Sequence, residues 1–211
     1  MNVLETGDPS GISDAAVEAA VEIIASGGIA AIPTETFYGL AADAENESAV
    51  RKVFLLKERL PGLPVLILVG SVESASRYAR DIPPSARKLM ETFWPGGLTL
   101  VFHAAPGVSS VLTAETGKIG IRLSSHAAAT RIARALGRAV TGTSANVSGR
   151  PPCANAEDVI RTFGEGLDLV LDGGQAAGKI PSTVLDVTSE PPRILRRGAV
   201  PEDRIRNVLS R

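Results

Sequence analysis

The residues able to do chemistry are gathered in a few short stretches. The first is Pro33-Thr34-Glu35-Thr36-Phe37-Tyr38-Gly39-Leu40, directly after the apolar run Gly28 to Ile32. An apolar run that ends at a proline and breaks into hydroxyls, a carboxylate and a phenol reads as a buried strand opening into a site. Open α/β sheets hold their ligands at such strand ends. Lys57 and Arg59 then bring two cations to the end of a helical stretch, ahead of the apolar run Val65 to Val69. Alone, they need do no more than complement the helix dipole, an effect of up to about 1 kcal/mol. Arg122 shares one face of a two-residue alternation with Gly120, opposite Ile119, Ile121 and Leu123, and so is a cation on a strand. Ser144 and Asn146 stand in the polar loop Ser144 to Gly149.

Several familiar chemistries fail on single residues. Gly173 to Lys179 has the glycine and lysine spacing of a phosphate-cradling loop, but Ile180 replaces the hydroxyl that would hold magnesium, and Pro181 disfavours a helix there. Gly142-Thr143-Ser144-Ala145-Asn146 resembles a nucleophile elbow until Asn146 takes the place of the last glycine. A serine hydrolase also needs a base, and His103 and His126 are the two histidines of the chain. Two separated histidines and one cysteine, Cys153, give no dense metal constellation, so no protein-held metal is expected.

The elements that must position these residues follow from periodicity and caps. Helices are predicted from Ser13 or Asp14 to Ser26, from Asn46 or Ser48 to Lys57, from Ser71 to Arg80, from Pro83 to Phe93, from Ala127 to Leu136 and from Asn155 to Phe163. Strands are predicted at Ile29–Ile32, Val65–Val69, Leu98–Phe102, Ile119–Leu123, Ala139–Thr143, Leu167–Leu171, Thr183–Val187 and Ile194–Leu195. Pro201 opens a closing helix over 201–211. Strands alternating with helices, some close enough to pair antiparallel, define an α/β fold with an open, twisted, mixed sheet.

The 211 residues suit a single domain, 1–211, and 44% hydrophobic with 21% charged residues is ordinary for a globular chain. A net charge of −1 supplies no global field toward nucleic acid or anionic membrane, so a polyanion site must be local. The single cysteine excludes an internal disulfide framework, and no apolar run approaches membrane-spanning length; a cytoplasmic protein is expected.

The ordered set of motifs resembles the YrdC-like threonylcarbamoyl-AMP synthase family. The match begins at Pro33 to Leu40 and continues through Lys57-Glu58-Arg59, Phe93-Trp94-Pro95-Gly96-Gly97-Leu98-Thr99, Ile119 to Arg122, Ser144 to Gly149, Gly178 to Val184 and Ile194 to Gly198. The resemblance implies one domain with signatures from about 13 to 199, its helices flanking the sheet around a concave, locally positive cavity. It implies synthesis of L-threonylcarbamoyladenylate and pyrophosphate from L-threonine, bicarbonate and ATP carried with Mg2+, toward a modified adenosine in tRNA. By the same resemblance, Lys57, Arg59, Ser144, Asn146 and Arg196 hold the nucleotide, with Lys57 and Arg59 positioning and neutralising charge. Thr34, Tyr38, Arg122 and Ser182 surround the threonine; no side chain is expected to act as a nucleophile.

Phe93 and Trp94 are assigned to core structure. The chain departs from the family pattern at Leu60, Leu63, Gly97, Ser124 and Pro151 to Ala154. Other readings stand beside the synthase: a non-catalytic RNA-binding or ribosome-associated module, a paralogue with a changed ligand, and a stand-alone carbamoyl-transferring relative. As partners of the synthase, tRNA or tRNA-modification proteins are expected beside its substrates.

Overall fold

The computed structural model describes residues 1–6, 12–59, 62–178 and 180–210. In chain order the elements are β1 (Asn2–Glu5), α1 (Asp14–Ala25), β2 (Ala30–Ile32), β3 (Gly39–Ala41), α2 (Glu47–Leu56), β4 (Ile67–Leu68), α3 (Pro84–Phe93), β5 (Leu98–His103), α4 (Ser110–Thr113) and β6 (Lys118–Arg122). They continue with α5 (Ala127–Leu136), β7 (Val140–Thr141), β8 (Thr143–Ser144), α6 (Ala156–Phe163), β9 (Leu169–Asp172), β10 (Thr183–Asp186), β11 (Arg193–Arg196) and α7 (Glu202–Leu209).

Helix starts follow the caps expected. The Ser13 side chain accepts from the Ala16 amide at 3.2 Å, Asn46 from Ala49 at 3.1 Å and Asn155 from Asp158 at 2.7 Å, each satisfying a donor that the first turn leaves free. Gly137, at φ 70°, ends α5 in the left-handed region that a side chain would resist. The stretch Ser71 to Arg80 differs from expectation: only a 3-10 turn forms, over Glu73–Arg77. Reciprocal bonds between Ser71 and Ser74, including the Ser74 hydroxyl to the Ser71 carbonyl, give the backbone a local alternative to the α-helix.

Among the described residues the strands form two mixed sheets. Five lie in the order β1-β9-β2-β3-β8 and six in the order β11-β10-β5-β6-β4-β7. The first sheet is parallel from β1 through β2 and antiparallel across β3 and β8; in the second, β10–β5 and β6–β4 are the parallel pairs. The predicted strand Ala139–Thr143 is divided between them: β7 pairs with β4 of the larger sheet and β8 with β3 of the smaller. The chain changes sheets at Gly142. A Cβ there would come 2.5 Å from Leu68 Cγ and 2.7 Å from Leu66 Cδ1, so the crossing needs a residue without a side chain.

Strand alternation divides the core. Along β2, Ala30 and Ile32 join Leu169 and Leu171 against α1 and α5, while Ala31 and Val170 face Val53, Val159 and Phe163 of α2 and α6. The five-stranded sheet is thus covered on both faces, as its parallel part requires. A third cluster runs from Leu89, Met90, Phe93 and Trp94 to Leu98, Leu100, Ile119, Ile121 and Ile205. Full burial of each such aliphatic side chain contributes about 1.5–3 kcal/mol. Phe93 and Trp94 are core residues as expected, the Trp94 indole N–H donating to the Leu98 carbonyl at 2.7 Å.

Candidate functional site

A cavity of about 530 Å3 opens where the two sheets meet. The β2–β3 connection supplies Thr34, Thr36 and Tyr38; the turn after α2 supplies Arg59; β6 supplies Lys118, Gly120 and Arg122; β8 supplies Ser144; Ser182 stands just before β10, and β11 supplies Arg196. The size and the mixture of an apolar wall with a few polar groups suit a small-molecule ligand. Leu66, Val101, Val184 and Leu195 form part of that wall.

The expected two-residue alternation of β6 sets Lys118, Gly120 and Arg122 on the cavity side. Arg122 is only 3% exposed. Its Nη1 lies 3.2 Å from Glu35 Oε1 and donates to Thr36 Oγ1 at 3.3 Å. Thr34 Oγ1 donates to the Phe37 carbonyl at 2.7 Å and lies 3.0 Å from Thr36 Oγ1, so the two threonines stiffen the connection that carries them. On the opposite wall, Arg196 Nε and Nη2 reach the Ser182 carbonyl at 3.1 and 3.0 Å, and Nη2 also reaches Ser182 Oγ at 3.0 Å. Ser182 Oγ is 2.9 Å from Thr99 Oγ1.

Three guanidiniums therefore face one volume. Burial pushes each of them down from the ordinary arginine range; Arg196 adds to the effect on Arg59, and Arg122 to that on Arg196, while Glu35 pulls Arg122 back up. Like charges held together by the fold in this way are relieved by an anion between them.

Three expected contact residues, Lys57, Asn146 and Tyr38, have other bonding partners. Lys57 is 1% exposed and is absent from the cavity lining; its ammonium donates to the Ser144 carbonyl at 2.5 Å, the Asn146 carbonyl at 2.8 Å and Asn146 Oδ1 at 3.0 Å. Those three bonds use every proton an ammonium has. Asn146 spends its amide on Val147 and Arg150 carbonyls, and its oxygen accepts from Ser144 Oγ at 2.6 Å. Lys57 and Asn146 thus brace the loop from behind, and Ser144 is the member of the loop on the cavity. Tyr38 lines the cavity, but its hydroxyl donates to the Gly174 carbonyl at 2.9 Å and accepts from the Gly173 amide at 3.0 Å. Burial drives that phenol up to about 12.

Arg59 combines the two roles. It lines the cavity while Nε and Nη2 donate to the Leu63 and Pro64 carbonyls at 3.0 and 2.7 Å, fixing the turn before β4. Leu60, Pro61 and Lys179 lie outside the described residues. His126 caps α5, its Nδ1 accepting from the Ala128 amide at 3.2 Å, and Cys153 is buried with its thiol 3.5 Å from Thr162 Oγ1. Polar residues of the site not singled out from sequence include Thr36, Thr99, Thr116 and Lys118; the alternation that placed Gly120 and Arg122 extends one step back to Lys118, whose ammonium pairs with Asp186 at 2.9 Å.

Residues 22–198 match the Sua5/YciO/YrdC family model, described as telomere recombination. The chain belongs to this family. A threonylcarbamoyl-AMP synthase of Pyrococcus abyssi is 35% identical over 193 residues, which are 92% of this chain and 57% of that protein. A Mycobacterium tuberculosis protein, named provisionally as the same enzyme, is 36% identical over 92% of this chain and 88% of its own. The crystal structure of P. abyssi Sua5 complexed with L-threonine superposes with a TM-score of 0.95 at 33% identity, covering 99% of this chain and 61% of that one. The chain therefore spans about three fifths of the Pyrococcus relative.

Proposed function

We propose that the protein is a nucleotidyltransferase that makes L-threonylcarbamoyladenylate from L-threonine, bicarbonate and ATP, the last as its magnesium complex. The observation that carries this reading is the convergence of Arg59, Arg122 and Arg196, from three separate elements, on one cavity with hydroxyl donors between them. Relatives named for this reaction, and a neighbour that binds L-threonine, support the choice of substrate.

The chemistry needs anion binding and alignment more than a protein nucleophile. The amine of threonine attacks the carbon of bicarbonate, and loss of water leaves a carbamate. One carbamate oxygen then attacks the α-phosphorus; the bond from that phosphorus to the bridging oxygen breaks, and pyrophosphate leaves with the electron pair. Arg122 pairs with the amino-acid carboxylate in a charge-assisted contact, with Thr34 and Ser182 nearby and Tyr38 in the wall. Arg59 and Arg196 neutralise the phosphate oxygens, Ser144 donates to them, and Lys57 and Asn146 keep Ser144 in place. The cation is assigned to the nucleotide as part of the same proposal. tRNA or proteins that modify it are the expected consumers of the adenylate.

The test is product formation followed by mass spectrometry, with ATP, magnesium, bicarbonate and L-threonine, and with serine as the control. A threonine-dependent carbamoyl adenylate with one pyrophosphate per product is the expected result. ATP consumption independent of threonine, or none at all, overturns the reading.

A further inference from the structure

Arg122 is held both by Thr36 of the cavity lining, whose Oγ1 accepts from Nη1 at 3.3 Å, and by an ion pair from outside it. Thr34 and Thr36 belong to that lining and Glu35, between them, does not. The Glu35 carboxylate is divided: Oε1 lies 3.2 Å from Arg122 Nη1, and Oε2 accepts from the Ser124 hydroxyl. Ser124 is 1% exposed, and its oxygen accepts the His126 amide at 3.2 Å. With that amide directed at the oxygen, the hydroxyl proton is left for Glu35. Arg122 Nε has no hydrogen-bond partner among the described residues, although it is buried, and neither has Glu35 Oε1, so the Glu35–Arg122 contact is an ion pair, while the hydrogen bond of Nη1 goes to Thr36 Oγ1 at 3.3 Å.

A guanidinium is a rigid planar fork, so fixing Nη1 also fixes the direction of the edge that carries Nε. Carboxylates are recognised best by two parallel N–H donors on one such edge. A polar chain in a water-poor environment holds its members more firmly than the same groups in water.

We propose that Glu35, oriented by the Ser124 hydroxyl, is a positioning residue that aims the Arg122 guanidinium so that its Nε edge receives the carboxylate of the amino-acid substrate. The substrate named here rests on the synthase reading above; the orientation of Arg122 does not. Loss of the Ser124 hydroxyl frees the carboxylate to turn and leaves Arg122 Nη1 with the Thr36 oxygen as its one fixed partner, so the guanidinium turns more freely. The amino acid is then bound less well in ground state and transition state alike, which raises KM and leaves kcat in place.

The experiment compares wild type with Ser124→Ala, Ser124→Thr and Glu35→Gln by steady-state kinetics and by NMR of 15N-labelled arginine side chains. Ser124→Ala and Glu35→Gln are expected to raise KM for L-threonine about tenfold, with kcat and KM for ATP within about twofold. Ser124→Thr, which restores the hydroxyl, is expected to recover most of the loss. Without any substrate, rotation about the Nε–Cζ bond of Arg122 is expected to be slow in wild type and Ser124→Thr, and fast in Ser124→Ala and Glu35→Gln. Equal rotation in all four proteins, or KM for ATP rising in step with KM for threonine, overturns the proposal. Slow rotation that depends on Ser124 in a protein that forms no threonine adenylate supports the positioning of Arg122 and overturns the synthase reading alone.

Discussion

Lys57 shows how a single charge can be placed for structure inside a site of cations. Burial, then the neighbouring Arg59, push its ammonium from 10.5 down to about 8, while its three oxygen acceptors favour the charged form. The folded value lies below the unfolded one, so the unfolded chain binds more protons between about 8 and 10.5, and stability linked to this group rises with pH across that window. The stability of wild type relative to Lys57→Met should therefore climb from pH 8 to 10.5, by at most roughly 3 kcal/mol. Urea unfolding of both proteins at several pH values measures it. Nucleotide affinity should move the other way over the same range, because a neutral amine holds the Ser144–Asn146 loop less firmly. That Arg122, Ser182 and Arg196 would come together on one cavity was legible because each stands in a short motif. The bonds of Lys57 and Tyr38 were not, since they reach partners 87 and 136 residues away that no local pattern joins to them.

At the scale of elements, the return of the chain after β11 sets the position of Ser182. A Cβ on Gly198 would lie 2.2 Å from the Pro181 carbonyl oxygen and 2.5 Å from the Ser182 carbonyl carbon, both backbone atoms that cannot swing aside. Gly198→Ala is expected to push the Pro181–Ser182 segment into the cavity and lower kcat/KM for threonine by about tenfold or more, since a displacement near 1 Å at reacting groups can lose that much. Kinetics together with an unchanged circular dichroism spectrum would separate this from unfolding. The long helices and the central strands β5, β6 and β10 were readable because their apolar residues repeat with period 3.6 or 2. β3 and β8 have three and two residues, and α4 has four, too few for either period to show. The change of sheet at Gly142 is invisible in a run of small residues, whose side chains mark neither face.

For the whole molecule, the cavity draws on both sheets: Thr34 and Ser144 come from the five-stranded side, and Arg122, Ser182 and Arg196 from the six-stranded side. A ligand that touches both should tie them together. L-threonine with ATP, each at about 100 times its Kd, is expected to add about 2.7 kcal/mol per ligand if the sites are independent. For a chain of this length, that is a rise in Tm of roughly 5–11 °C for each. A thermal melt with each ligand alone and then both tests this; a rise with both that exceeds the sum shows coupling between the two substrates.

The passage of the backbone between sheets at Gly142 has an evolutionary consequence. Neither wall of the cavity can change without affecting the other, because each substrate's expected contacts come from both sheets. A lineage that alters the ligand does so by exchanging wall residues, and recombination between relatives with a breakpoint at residue 142 would put strands of two origins into both sheets, since β1 to β7 precede it and β8 to β11 follow it.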